Sequence, residues 1–152
     1  MNRFRGDLEM LPSRARYFTP QQAGSSLVLI RRIVADIVGG YGRLVELQET
    51  LEALQTQQSR LECEAVRRQL IATMERLQSC LGELEEIGVE LVDWALGIVE
   101  FPCLWSGREI RLTWQHGQGG ISHWREIGES PATRQPISSL LMEQMAVAGA
   151  RR

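Results

Sequence analysis

The chain has 152 residues, of which 43% are hydrophobic and 24% charged, and its formal net charge is −2. This length suits one ordinary domain, and the average composition excludes wholesale disorder. No apolar segment approaches the ~20 residues needed to cross a bilayer, and the arginine-rich start lacks the apolar part of a signal peptide, so we expect a cytoplasmic protein.

Charge is distributed unevenly along the chain. Residues 1–42 carry a net charge of +3, residues 43–90 carry −5, and the remainder balances at zero. Phosphates and anionic lipids require a concentrated basic face, so the acidic middle disfavours a nucleic-acid or membrane partner. The three cysteines are widely spaced without a CxxC pair, which is typical of small buried hydrophobes. The sequence predicts no cofactor.

The first predicted helix begins in the segment FTPQQA. Thr19 can cap it, Pro20 suits its first turn, and Gln22 stands where a capping box places the reciprocal side chain. Downstream, apolar residues recur at spacings of three and four, as on one helix face. They are Ala23, Leu27, Ile30, Val34, Ile37, Tyr41, Leu44 and, after a polar Gln48, Leu51.

Three glycines interrupt this stripe in the segment VGGYG. Gly39, Gly40 and Gly42 each cost about 1 kcal/mol in a helix interior. We favour a kink or a close helix crossing there, and the alternative is a ligand that approaches the bare backbone.

A second helix is predicted from about residue 59 to 87, after the polar segment QTQQSR. Its apolar stripe runs from Leu61 to Ile87, and Gly88 is a typical left-handed stop. Two such helices should fold back into an antiparallel hairpin that leaves part of its stripe uncovered. The cover is either a second copy, giving a two-fold homodimer with a coiled-coil-like four-helix bundle, or the C-terminal region of the same chain.

After Gly88 the period changes to that of strands. The segments VELVDW, GIVEF, REIRLTW and ISHWREI are predicted as short antiparallel strands with tryptophans in the core, GESPATRQP as a loop, and ISSLLMEQMAVA as a short helix. The predicted class is α+β, a long antiparallel helical hairpin followed by a small antiparallel β-sheet and a short C-terminal helix. The predicted parts are a basic N-terminal arm (1–18), the hairpin (19–88), a β cap packed on it (89–137), and a helix with tail (138–152).

Five short blocks carry a resemblance to a known family: RYFTPQQA, GVELVDWALGIVEFP, GREIRLTW, ISHW and TRQPI, in this order. They resemble an uncharacterised prokaryotic family, domain of unknown function 2203. The resemblance implies the same hairpin and β region, and it implies no activity. The polar and aromatic residues of the family pattern that this chain keeps are Asp93, Glu100, Trp114, Trp124 and Arg134.

The chain departs from that pattern at three positions. Gln118 stands where the family usually has Glu, Arg125 where it has His, and Thr113 where it has Cys. If the family uses that Glu and His as ligands or as acid and base, the resemblance implies that this member has lost the chemistry.

Chemical sites are only weakly indicated. His116 and His123 flank a turn and could approach each other, with Asp93 or Glu100 as a third metal ligand, but a transition metal needs three or four converging donors. No nucleophile elbow or phosphate-binding lysine is present. Arg125 and Arg134, near Trp124, could bind a carboxylate or a partner's acidic side chain, or form structural ion pairs with Glu126 or Glu129.

The sequence therefore favours a non-enzymatic interaction or scaffold protein, dimeric through the hairpin, whose Trp-rich β cap contacts a partner protein. The alternative is a small-ligand or metal site between β cap and helices. The candidate binding residues are Asp93, Glu100, Trp114, His123, Trp124, Arg125 and Arg134, and the weak metal candidates are His116 and His123.

Overall fold

The computed structural model describes residues 16–150, with the side chains of residues 16–130 and 132–143. Its elements are α1 (Pro20–Thr56), α2 (Arg60–Ile87), β1 (Glu90–Asp93), β2 (Ile98–Trp105), β3 (Arg108–Gln115), β4 (His123–Glu126), a 3₁₀ turn (Pro131–Thr133), β5 (Gln135–Pro136) and α3 (Ile137–Ala150). The predicted α+β class, with its hairpin, antiparallel sheet and C-terminal helix, is confirmed. Most of the predicted basic arm, residues 1–15, lies outside the described residues.

The predicted ends of the helices are also confirmed. The Thr19 hydroxyl accepts a hydrogen bond from the Gln22 backbone N–H, and the Gln22 side-chain oxygen accepts one from the Thr19 N–H, both at 3.0 Å. Gly88 ends α2 with a φ of 96°, in the left-handed region. Both arrangements satisfy backbone groups that a helix terminus leaves without partners.

The glycine segment leaves α1 as one continuous helix. A Cβ on Gly40 would lie 2.9 Å from Cδ2 of Leu77 on α2, so this glycine permits the close helix crossing that was one of the predictions. Among the described residues, nothing lies within 4 Å of a Cβ built on Gly39 or Gly42, and the crossing does not explain these two.

The sheet has five antiparallel strands in chain order. The fifth strand was not predicted. The segment GESPATRQP was expected to be a loop, but it contains the 3₁₀ turn and β5, and β5 pairs with β4. A strand of two residues that ends in proline has no alternation for a sequence pattern to reveal.

The main core lies between the proximal half of the hairpin (residues 20–40 and 77–87) and the inner face of the sheet. Its buried residues include Leu27, Ile30, Val34, Ile37, Leu84, Val99, Phe101, Ile110, Leu112, Trp114 and Leu140. The C-terminal region thus covers this half of the stripe within one chain. In the distal half (residues 41–56 and 60–76), Leu47, Cys63 and Val66 are buried outside this core, in the seam between the two helices.

Of the helices in residues 16–150, none combines the length and apolar character needed to cross a membrane.

Candidate functional site

The outer face of the sheet, turned away from the helices, carries a buried carboxylate. Glu100 lies on β2 between Val99 and Phe101, whose side chains enter the core, so its own side chain points to the opposite face. That side chain is nevertheless only 1% exposed. A carboxylate removed from water in this way requires a paired charge and hydrogen bonds.

Two arginines supply the pairing. Arg125 donates from Nε to Oε2 of Glu100 at 2.7 Å and from Nη2 to Oε1 at 2.8 Å, a bidentate arrangement. Arg134 Nη2 lies 3.5 Å from the same Oε2. The hydrogen bond to Glu100 raises the pKa of Arg125. Arg125 Nη1 also donates to the Glu129 carbonyl at 2.9 Å, which ties the loop after β4 over this face.

Thr113 completes this group, which we name the Glu100 cluster: Glu100, Thr113, Arg125 and Arg134. Strand register places Thr113 opposite Glu100 on β2 and opposite His123 on β4. The Thr113 hydroxyl and the Nε of Arg134 are buried and form no hydrogen bond with any described residue. The cluster holds two guanidinium groups for one carboxylate, so its net charge is positive.

The ion pairs differ from one of the two predicted alternatives. That alternative paired Arg125 and Arg134 with Glu126 or Glu129, whereas the side chain of Glu126 pairs with Arg108. Arg108 also contacts Glu143 on α3 at 2.7 Å, and its guanidinium carbon lies 5.5 Å from the centre of a Trp124 ring. The carboxylate that Arg125 binds therefore belongs to the chain itself.

The four side chains predicted as metal donors have separate surroundings and do not converge on one point. Asp93 accepts a hydrogen bond from the Leu96 N–H at 2.7 Å and closes the turn between β1 and β2. Glu100 is held by Arg125, His123 Nδ1 lies 2.8 Å from the Ser122 hydroxyl, and His116 is exposed at the turn after β3. In residues 16–150, no three His, Cys, Asp or Glu side chains are grouped so that they could hold a metal ion.

Trp114 and Trp124, two predicted contact residues, belong to the core. Trp114 is fully buried and its Nε1 donates to the Gln118 carbonyl at 3.1 Å; Trp124 is buried and donates to the Ser139 hydroxyl on α3 at 2.9 Å. The expectation that tryptophans fill the core is confirmed for these two. Neither indole is open to a partner at the surface, and the segment between them serves packing and a turn.

An apolar groove lies on the hairpin next to the sheet. Its volume is about 320 Å³, and it is lined by Tyr41, Leu44, Met74, Leu77, Gln78, Leu81 and Trp94. The rings of Tyr41 and Trp94 lie 6.3 Å apart and close the groove at the end nearest the sheet. Sequence reasoning found the apolar helical members of this groove as parts of two stripes, but it did not include Gln78 and could not place Trp94 beside them.

A smaller cleft of about 260 Å³ lies on the hairpin around Gly39. Its polar lining comes from Asp36, Arg43, Thr73 and Arg76. Arg43 is already engaged there by the side chain of Gln69 at 3.0 Å. The prediction of a ligand against bare backbone would have to use this cleft.

Neither the curated proteins nor the solved structures contain a match to this chain. A family model described as an uncharacterized conserved protein, domain of unknown function 2203, matches residues 16–137. The matched part contains the hairpin, all five strands of the sheet and the whole Glu100 cluster. The chain therefore belongs to this family of uncharacterized conserved proteins, domain of unknown function 2203.

Proposed function

We propose that this protein is a non-enzymatic interaction protein that forms a homodimer through the distal half of its helical hairpin. The observation that carries the proposal is the apolar groove beside Trp94, which lies at the border between the two halves and which a single chain leaves open to solvent. The sheet covers the apolar stripe only as far as this groove.

The exposed side chains around the groove favour association. Met74, in the groove lining, is 49% exposed, and Ile71, about one turn nearer the start of α2, is 57% exposed. Removing apolar surface from water contributes roughly 25 cal/mol per Å². A partner surface that buries these side chains together with Tyr41 and Leu44 would therefore gain free energy that the single chain forgoes.

A second copy of the chain fits this surface in size. From Tyr41 to Thr56, α1 is about 24 Å long, and two adjacent helices are about 20 Å wide. Each copy then offers about 480 Å², so a dimer would bury roughly 1,000 Å² in total, near the lower limit for a specific interface. Two such hairpins form a coiled-coil-like four-helix bundle, and two-fold symmetry is the most common arrangement of soluble oligomers.

In this proposal the β cap has two roles. Its inner face covers the proximal half of the hairpin, and the turn between β1 and β2 borders the interface. That turn carries Trp94 and Leu96, and Leu96 is 53% exposed. A partner on the groove would thus contact Trp94, and the buried Trp114 and Trp124 would only support the cap from inside.

The test is the mass of the protein in solution. Light scattering at micromolar concentration should return twice the chain mass of 17.2 kDa. Met74→Glu places a charge in the groove and should shift the protein to monomer. Val28→Glu is the matched control, because Val28 is 72% exposed on the proximal half of α1 and outside the groove lining. A wild-type monomer, or equal effects of both variants, would refute the proposal.

The alternative of a small-ligand or metal site in the β cap has less support. A ligand at Glu100 or Asp93 would have to replace the contacts with Arg125 or with the Leu96 amide. Elemental analysis of purified protein and thermal unfolding with and without divalent ions test the metal version. A near-stoichiometric metal, or a clear rise in the unfolding temperature, would favour this alternative.

A further inference from the structure

The Glu100 cluster contains hydrogen-bond donors that the described chain does not use. Nε and Nη2 of Arg134 and the hydroxyl of Thr113 have almost no contact with solvent, and none of these atoms forms a hydrogen bond with a described residue. Thr113 as a whole is only 4% exposed. Because buried polar groups are nearly always satisfied in folded proteins, three such atoms in one cluster require a specific explanation.

The two nitrogens of Arg134 form one recognition element. Nε and Nη2 lie on the same edge of the guanidinium plane, and such a fork matches the two oxygens of a carboxylate. Arg125 holds Glu100 with this same pair of nitrogens, at 2.7 and 2.8 Å. Glu100 does not fill the fork of Arg134, because its Oε2 lies 3.5 Å from Nη2 and both of its oxygens already accept from Arg125.

Thr113 borders the same carboxylate from the neighbouring strand. It lies directly opposite Glu100 in the register of β2 and β3, and such cross-strand neighbours have Cβ atoms about 5 Å apart. Leu112 and Trp114 on either side of it are buried in the core, so the Thr113 side chain points to the outer face together with Glu100. The unused donors of Thr113 and Arg134 therefore both lie next to Glu100.

The charge of the cluster favours a monovalent anion. Glu100 and Arg125 compensate each other, which leaves the single positive charge of Arg134. Among the described residues, Glu100 is the one carboxylate within ion-pair distance of Arg134. Because the donor atoms are enclosed by protein, an ion of only a few atoms fits between them and the surface.

Two other acids near the cluster are engaged elsewhere. Glu90, opposite Glu100 on β1, lies 3.8 Å from Nη1 of Arg111. Glu129, in the loop after β4, accepts a hydrogen bond from the Thr133 hydroxyl at 3.1 Å. The donors of Arg134 thus have no competing carboxylate from these two residues.

We propose that Arg134 and Thr113 bind a small monovalent planar oxyanion, of the carboxylate or bicarbonate type. The fork of Arg134 donates to two oxygens of the ion, and the Thr113 hydroxyl donates to one of them. This ion displaces neither Glu100 nor Arg125 from its contacts, in contrast to a ligand that binds at Glu100 itself. The site lies within one chain and is independent of the proposed dimer.

Thermal unfolding of the full-length protein tests the site in mildly alkaline buffer. The probes are sodium formate, sodium bicarbonate and, as the reference for general salt effects, sodium chloride, each at the same concentration. At about 100 mM, formate or bicarbonate should raise the unfolding temperature of the wild type by at least about 3 °C more than chloride does. The larger of the two increases identifies the carboxylate or the bicarbonate as the better ligand.

Three variants show whether this increase comes from the proposed donors. Thr113→Val keeps the shape of the side chain without its hydroxyl and should at least halve the increase, and Arg134→Gln should abolish it. Arg60→Gln is the matched control, because the Arg60 side chain is 91% exposed on the hairpin, and it should keep the full increase. No increase over chloride in the wild type, or the same increase in Thr113→Val as in Arg60→Gln, would overturn the proposal.

Discussion

Glu100 shows how one residue on the outer face of a sheet can be as buried as the core. Its bidentate contact with Arg125 and the nearby Arg134 replace the water that the carboxylate loses. Breaking a buried pair leaves a charge without compensation, whereas replacing both partners by apolar residues is often neutral. The cluster therefore fixes the loop after β4 more than it adds net stability.

This view predicts opposite outcomes when one charged member of the cluster is replaced and when all three are replaced. Arg125→Met should lower the free energy of unfolding by about 3 kcal/mol, because Glu100 then keeps only the more distant Arg134. Glu100→Leu combined with Arg125→Met and Arg134→Met should recover most of that loss, because no charge of the cluster then stays buried without a partner. Urea denaturation measures both values, and Arg60→Met, which breaks an exposed pair with Glu64, is a control expected to cost less than about 1 kcal/mol. A triple variant less stable than Arg125→Met would contradict this account.

Cys103 provides a prediction about pH. Burial raises the pKa of its thiol from 9.0 to about 11, so the folded chain holds this proton more tightly than the unfolded chain does. The resulting stability is complete below pH 9 and declines as the pH rises from 9 to about 11. Urea midpoints across this range should fall less steeply for Cys103→Ala than for wild type. Equal slopes would show that Cys103 does not contribute.

At the scale of elements, the hairpin combines strong local signals with one costly segment. The capping box at Thr19 and the left-handed Gly88 set the outer ends of the two helices. Between them, three glycines lie in the interior of α1, where packing must offset their low helix propensity. Of these three, Gly40 alone has a neighbour among the described residues, Leu77, that a side chain would meet.

The glycines should therefore respond differently to alanine. Gly39→Ala should raise the free energy of unfolding by up to about 1 kcal/mol, because alanine is the better helix former and its Cβ would have no atom of the described residues within 4 Å. Gly40→Ala should gain less or lose stability, since its Cβ would lie 2.9 Å from Leu77 Cδ2 and that side chain must move. Thermal or urea unfolding of the two variants decides the question. An equal gain at both positions would mean that the crossing is looser than described.

At the scale of the whole molecule, the hairpin is longer than the sheet that covers it. The core ends near Tyr41 and Trp94, and beyond them the buried residues lie only in the seam between two helices. An isolated helical pair has little apolar surface to bury, so the distal half should be the less stable part of a single chain.

Dimer formation would couple this distal half to protein concentration. Because a partner that binds only the folded chain stabilises it by mass action, the urea midpoint of the wild type should rise when the protein concentration is raised a hundredfold. The midpoint of Met74→Glu should stay constant over the same range, and that of Val28→Glu should follow the wild type. A wild-type midpoint that is independent of concentration would contradict the dimer.

The sequence by itself determined the outer ends of the two long helices, the hairpin, the α+β class and the alternation of the strands. These follow from short-range chemistry: Thr19 and Gln22 are three residues apart, and Ile110, Leu112 and Trp114 alternate along one strand. The tertiary structure alone decided that Arg125 binds Glu100, 25 residues away, and that cover of the stripe ends at Trp94. Both depend on strand register and on where the sheet lies along the hairpin, which are set by the packing of the whole chain and leave no periodic trace in the residues involved.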